Sequence, residues 1–196
     1  MRSSPRYRTP LRPLAGVRSR LADGLCVAAE RAVERGDAAD AEQAATRALC
    51  ACDQLEASAD TSRRRLRALA SLGEAHRLAN RHTHAEGSLT EALELAETSF
   101  AGDAPECRRA LDDLALHLTR AGRFDAAERL YRRALASRER ALGPDHPAVA
   151  IDRVALATVL DRLGRADEAR ELLHRALGGA RGAGAGASAR RASSRL

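Results

Sequence analysis

The chain has no lysine and no tryptophan: its 33 basic residues are all arginine, and aromatics make up 2% of the 196 residues. Without lysine there is no Walker A lysine, no protein-kinase ATP lysine and no Schiff-base lysine, so three large enzyme classes are excluded. No run of eighteen apolar residues occurs, which excludes a transmembrane helix. The N-terminus lacks the apolar stretch of a secretory signal. Residues 1–20 are arginine-rich and acid-free, as in a mitochondrial presequence, but arginine and alanine dominate the whole chain. Such usage fits a GC-rich genome, and a bacterial cytoplasm is the expected setting.

Catalytic motifs are also absent. There is no G-x-S-x-G, no H-E-x-x-H and no dinucleotide-binding glycine turn after a strand; Gly182 and Gly184 lie in a terminal tail. The four cysteines are scattered, which suggests a reducing compartment without a disulfide framework. Cys50 and Cys52 stand two apart, and on a helix such residues point to nearly opposite sides, so they hold one metal ion only if the helix ends there. His76, His82 and His84 are read as core or turn residues. No catalytic residue, cofactor or metal is expected.

What the sequence does contain is a repeat. Leu114-Ala115, Gly122, Ala127 and Ala134-Leu135 recur 42 residues later as Leu156-Ala157, Gly164, Ala169 and Ala176-Leu177. The template extends back to Asn80, Ala85-Glu86 and Ala92-Leu93, then to Gly36, Ala41-Glu42 and Ala48-Leu49. Self-similarity at this period predicts a stacked array of four units. Each unit reads as two helices. Cys107, Leu111, Leu114 and Leu118 recur at steps of three and four and form one apolar stripe, which Gly122 stops. Ala127, Leu130, Tyr131, Ala134 and Leu135 form a second. Pro147 suits the first turn of the following helix, with Asp145 or His146 just before it.

Charge is distributed unevenly. Ten arginines and no acids lie in residues 1–20 and 178–196, so the remaining 23 arginines face 27 acidic residues, a net of −4. The basic ends, residues 1–16 and 179–196, are expected to be disordered. Weak binding of nucleic acid or an anionic surface through these tails is the alternative function, but nucleic acid is not the expected partner.

The segments Leu111-x-x-Leu114-Ala115-x-x-Leu118, Gly122, Ala127, Tyr131 and Ala134 resemble the tetratricopeptide repeat signature. The 42-residue period and residues 133–150 are similar to the kinesin light chain variety. The resemblance implies an all-α, right-handed α-solenoid over residues 17–178, with repeats at about 17–56, 60–101, 104–143 and 146–178. It further implies a non-catalytic adaptor or scaffold that binds a peptide or partner helix in a concave groove. In the family that groove is lined by the first helix of each unit, which here places Asp23, Cys26 and Glu30 in the first unit. It places Arg67, Ala70, Glu74 and Arg77 in the second, Arg109, Asp112, Leu116 and Arg120 in the third, and Ile151, Val154, Thr158 and Asp161 in the fourth. The expected charge runs from acidic through mixed basic to apolar. Kinesin light chain repeats carry paired asparagines before the Leu-Ala step, whereas this chain has Ala70-Ser71, Asp112-Asp113 and Val154-Ala155, so no backbone clamp is expected. Arg153 stands where the third unit has Leu111.

The two ends of the array differ from its middle. Where the third unit has Leu114, Leu118 and Tyr131, the first has Ala28, Ala32 and Ala45, so it is expected to fray first. After Leu177 comes Gly178-Gly179 and no further amphipathic stretch, so the face bearing Leu172, Leu173 and Leu177 is expected to self-associate or to meet a partner.

Overall fold

The structure, a computed structural model, describes residues 12–178. The expectations for residues 1–11 and 179–196 lie outside the described residues. Those described contain eight α-helices and no strand, in two compact units divided after Arg81. The first unit holds α1 (Arg12–Glu34), α2 (Ala38–Asp53) and α3 (Ala59–Leu78). The second holds α4 (His82–Ser99), α5 (Pro105–Arg120), α6 (Phe124–Leu142), α7 (Pro147–Arg162) and α8 (residues 166–178). Helix α1 begins at Arg12, inside the 1–16 segment.

The repeat is written in the backbone. Gly36, Asn80, Gly122 and Gly164 have φ of 75°, 57°, 76° and 77°, the left-handed conformation that closes a helix. At each stop the following amide bonds back across the last turn, as in Asp37 N to Ala32 O, Arg81 N to His76 O, Arg123 N to Leu118 O and Arg165 N to Leu160 O. Open space surrounds Gly122, so Gly122→Ala costs only its left-handed strain, about 1–2 kcal/mol. Gly24 and Gly87 lie inside helices with open space where a methyl group would stand, and Gly24→Ala with Gly87→Ala is expected to raise stability by about 0.5–1 kcal/mol per site. Urea titration of the three variants checks both signs. Helix starts are capped locally: Asp37 accepts from Asp40 N at 3.0 Å and Ser58 from Thr61 N at 3.1 Å. His146, not Asp145, caps α7, accepting from Ala148 N at 3.1 Å ahead of Pro147.

The units differ in what fills their cores. In the first, Ala22, Cys26, Ala29, Ala41, Ala45, Ala48 and Cys52 are buried, so the helices meet through small side chains. In the second, Leu111, Leu114, Leu118, Tyr131, Val149, Leu156 and Leu160 are buried. Ala28 is exposed and lines a shallow cavity of about 190 Å³ with Leu25, Ala32 and Ala44, where the third repeat has leucines. Each missing methylene withholds about 0.8 kcal/mol of burial. Hydrogen exchange is therefore expected to be faster in residues 21–50 than in 107–177, and equal protection of the two would refute this.

Candidate interaction surface

In the first unit, the residues expected to line a groove are tied to one another. Arg64 on α3 holds Asp23 of α1 through two bonds of 2.7 and 3.1 Å, and Arg67 holds Glu30 through two of 2.8 and 2.9 Å. Arg77 and Glu74 pair along α3 at 2.6 Å. Arg67, Glu74 and Arg77 therefore sit on α3 as partners in ion pairs, and the acidic end expected from Asp23 and Glu30 is neutralised. The groove position given to Cys26 is also corrected. Cys26 is fully buried between Ala48 and Ala68, its Sγ donates to Arg64 O at 3.5 Å, and burial pushes its thiol up to about 11. An alanine-rich neighbourhood leaves room for sulfur in the core, a small-volume effect that helix periodicity does not reveal.

The second unit presents a different surface. Arg109 and Arg120 on α5 are exposed, as is Leu116 at 40%. On α7, Ile151 and Val154 are exposed at 69% and 46%, and Thr158 turns its hydroxyl back to Val154 O at 2.9 Å. Helix α7 is apolar on both sides, for Val149, Leu156, Val159 and Leu160 are buried on the other face. Two of its charged residues, Asp152 and Arg153, are buried at 4% and 7% exposure while the aliphatic Ile151 and Val154 beside them face outward. Exposed apolar side chains grouped on one face of a helix mark a surface that gains from being covered. At the end of the array, Leu173 and Leu177 are exposed at 41% and 65%, whereas Tyr131 and Leu135, one repeat earlier, are 7% and 9% exposed.

Asp112 does not stand open on that surface. It is half-buried and accepts from Arg138 Nη2 at 2.7 Å, while Arg138 Nη1 donates to Asp152. One guanidinium of α6 thus serves carboxylates from α5 and α7. Burial raises the pKa of both acids, Asp152 to about 6, and Arg138 only partly offsets this. Arg153 is held by Glu139 Oε1 at 2.7 Å, which resolves how an arginine occupies the place of Leu111. Sequence reading missed this cluster because its members are 26 and 14 residues apart on three helices.

It also missed a ladder of ion pairs in phase with the repeat. Glu42 pairs with Arg81 in the first unit; Glu86 pairs with Arg123 and Glu128 with Arg165 in the second. Each arginine directly follows the residue that closes a helix. The signal was available, since Glu42, Glu86 and Glu128 belong to the repeated Ala-Glu step and Arg81, Arg123 and Arg165 recur every 42 residues.

Residues 101–181 match the family model described as tetratricopeptide repeat. These repeats are tetratricopeptide repeats. The tetratricopeptide fold extends over both units by structural likeness. BtubC (BKLC) from P. vanneervenii superposes with a TM-score of 0.75 at 20% identity, covering 87% of this chain and 68% of that one. The nearly identical TPR-like repeats of a Podosopora anserina kinesin light chain give a TM-score of 0.70 at 20% identity, covering 82% and 74%. A Rap protein complexed with Competence and Sporulation Factor gives 0.69 at 19% identity, covering 83% of this chain but 43% of that one. No curated protein sequence matches the chain. Among the described residues no helix is long and apolar enough to cross a membrane, and no group of three or more histidine, cysteine or acidic residues is placed to hold a metal ion.

Proposed function

We propose that this chain is a non-catalytic, cytoplasmic protein-interaction module, and that a partner segment lies on the outward faces of α5 and α7. The observation that supports this is the outward pair Ile151 and Val154 on α7, together with exposed Leu116 and Arg109 on α5. Aliphatic side chains of a peptide or partner helix would cover Leu116, Ile151 and Val154, and carboxylates would meet Arg109 and Arg120 through charge-assisted hydrogen bonds. Thr158 borders the same face. The similar Rap protein was solved in complex with a factor, which supports such a use of the fold.

The test is affinity capture from the native lysate at moderate salt with the whole chain, residues 17–178, and two whole-chain variants. One variant carries Arg109→Glu with Arg120→Glu; the other carries Ile151→Asp with Val154→Asp. A protein partner retained by residues 17–178 and lost, at least tenfold, by both variants supports the reading. Capture that disappears with the tails and falls steeply with added salt refutes it and makes the basic ends the binding element.

A further inference from the structure

We propose that Asp112, Arg138 and Asp152 form an acid-sensitive latch, in which a proton taken up by the two carboxylates tightens α7 against α5 and α6 and its release loosens the same junction. The geometry leaves the cluster one positive charge short. Arg138, its side chain 17% exposed, donates to Asp112 and to Asp152 at once, so two carboxylates share one cation. Asp152 is 4% exposed, and its second oxygen, Oδ2, is buried without a hydrogen-bond partner. A buried anionic oxygen with no donor is costly, and protonation converts it into a donor while bringing the cluster to neutrality.

Arg108 of α5 lowers both acids by its charge, but its guanidinium donates to the Asp103 carbonyl, so Arg138 remains the cation that hydrogen-bonds to the two carboxylates. Glu139 of α6 adds negative charge and is itself held by Arg153 of α7. Arg153 reaches α8 only at the Arg175 carbonyl, 3.4 Å away, while Arg175 pairs with Glu171 at 2.5 Å. The Tyr131 phenol on α6 lies near both carboxylates and is neutral, with burial holding its pKa above the ordinary value.

The sign follows from linkage. Burial first, then the Asp112 charge, holds Asp152 up to about 6 against an ordinary 3.8, with Arg138 and Arg108 opposing. The folded state therefore binds the proton at higher pH than the unfolded chain does. The stabilisation grows as pH falls through about 6, is complete below the unfolded value, and is lost as pH rises through about 6. The latch concerns stability of the junction, so it stands or falls independently of the interaction surface.

Thermal unfolding of the full chain near pH 7.5 and near pH 5 tests it with Asp152→Asn, which keeps the shape and mimics the neutral acid. The readout is the difference between variant and wild type at each pH. Asp152→Asn is expected to melt about 3–6 °C above wild type near pH 7.5, with the gap reduced to about half near pH 5. A gap that is the same at both pH values, or a variant that melts below wild type near pH 7.5, overturns the proposal. Infrared difference spectra provide a second readout. Wild type should gain the carbonyl stretch of a protonated carboxylic acid between these pH values and Asp152→Asn should lack that increment; equal spectra for the two proteins would also overturn it.

Discussion

Replacing Arg138 by methionine is expected to cost about 3–5 kcal/mol of unfolding free energy near pH 7.5. Methionine keeps much of the length and apolar stem of arginine, so the loss measures the charge and its hydrogen bonds. Arg138 is the guanidinium shared by Asp112 and Asp152, and without it a buried and a half-buried carboxylate face each other with Glu139 nearby. Both acids are already raised by burial, and removing the cation that lowers them raises them further. The deficit should therefore shrink as pH falls toward 5, when the orphaned acids take up protons. Chemical denaturation at the two pH values checks this. Arg138→Met combined with Asp152→Asn should recover part of the loss near pH 7.5, because the two residues touch and their effects do not add. A deficit that does not change with pH would mean that packing, not charge, accounts for the role of Arg138.

The second large effect lies in the apolar core. Leu160→Ala is expected to destabilise by about 2–5 kcal/mol, since Leu160 is fully buried and its removal leaves a cavity in α7. The residues at this place in the four repeats are Ala32, His76, Leu118 and Leu160, all buried, at 1%, 8%, 4% and 0% exposure. Leu118→Ala should cost a similar amount. The first repeat already carries the alanine, and its helices are built around that smaller side chain. Filling the site with Ala32→Leu is therefore not a mirror image of Leu160→Ala, although the cavity beside Ala32 and Ala28 offers space on one side. Urea unfolding followed by circular dichroism, with hydrogen exchange to locate the change, checks these substitutions; Leu160→Ala costing less than about 1 kcal/mol would show that the fourth repeat contributes little to the stability of its unit.

Much of the fold was legible because the residues that stop helices are also the residues that repeat. Gly36, Asn80, Gly122 and Gly164 were recognisable from spacing, and all four have the left-handed backbone that spacing implied. The stripe of Cys107, Leu111, Leu114 and Leu118 is buried as its period requires. Local caps were partly legible: Pro147 marked the start of α7, but the choice of His146 over Asp145 depended on the direction of one side chain.

The interaction surface was legible only as a set of positions. Of the third- and fourth-repeat residues, Arg109, Leu116, Arg120, Val154 and Thr158 are exposed, whereas Asp112 is drawn inward by Arg138. Periodicity assigns a residue to a face of its helix, but a charged residue on that face can be claimed by a partner on another helix. Asp23 and Glu30 met arginines 41 and 37 residues away, and so lost the acidic character their sequence suggested. Cys26 went the other way, since a thiol among alanines behaves as a small apolar group.

By itself, the sequence determined the repeat, the number of helices per repeat, the residues that end them and the contrast between alanine-built and leucine-built cores. These depend on local backbone preference and on apolar spacing, which are properties of neighbours along the chain. Tertiary structure alone decided which arginine neutralises which acid, which carboxylates share a guanidinium, and that α7 buries Asp152 and Arg153 while Ile151 and Val154 face outward. Those outcomes depend on distances between side chains many residues apart, and a buried charge is tolerated only where another helix brings its counter-charge within hydrogen-bonding reach.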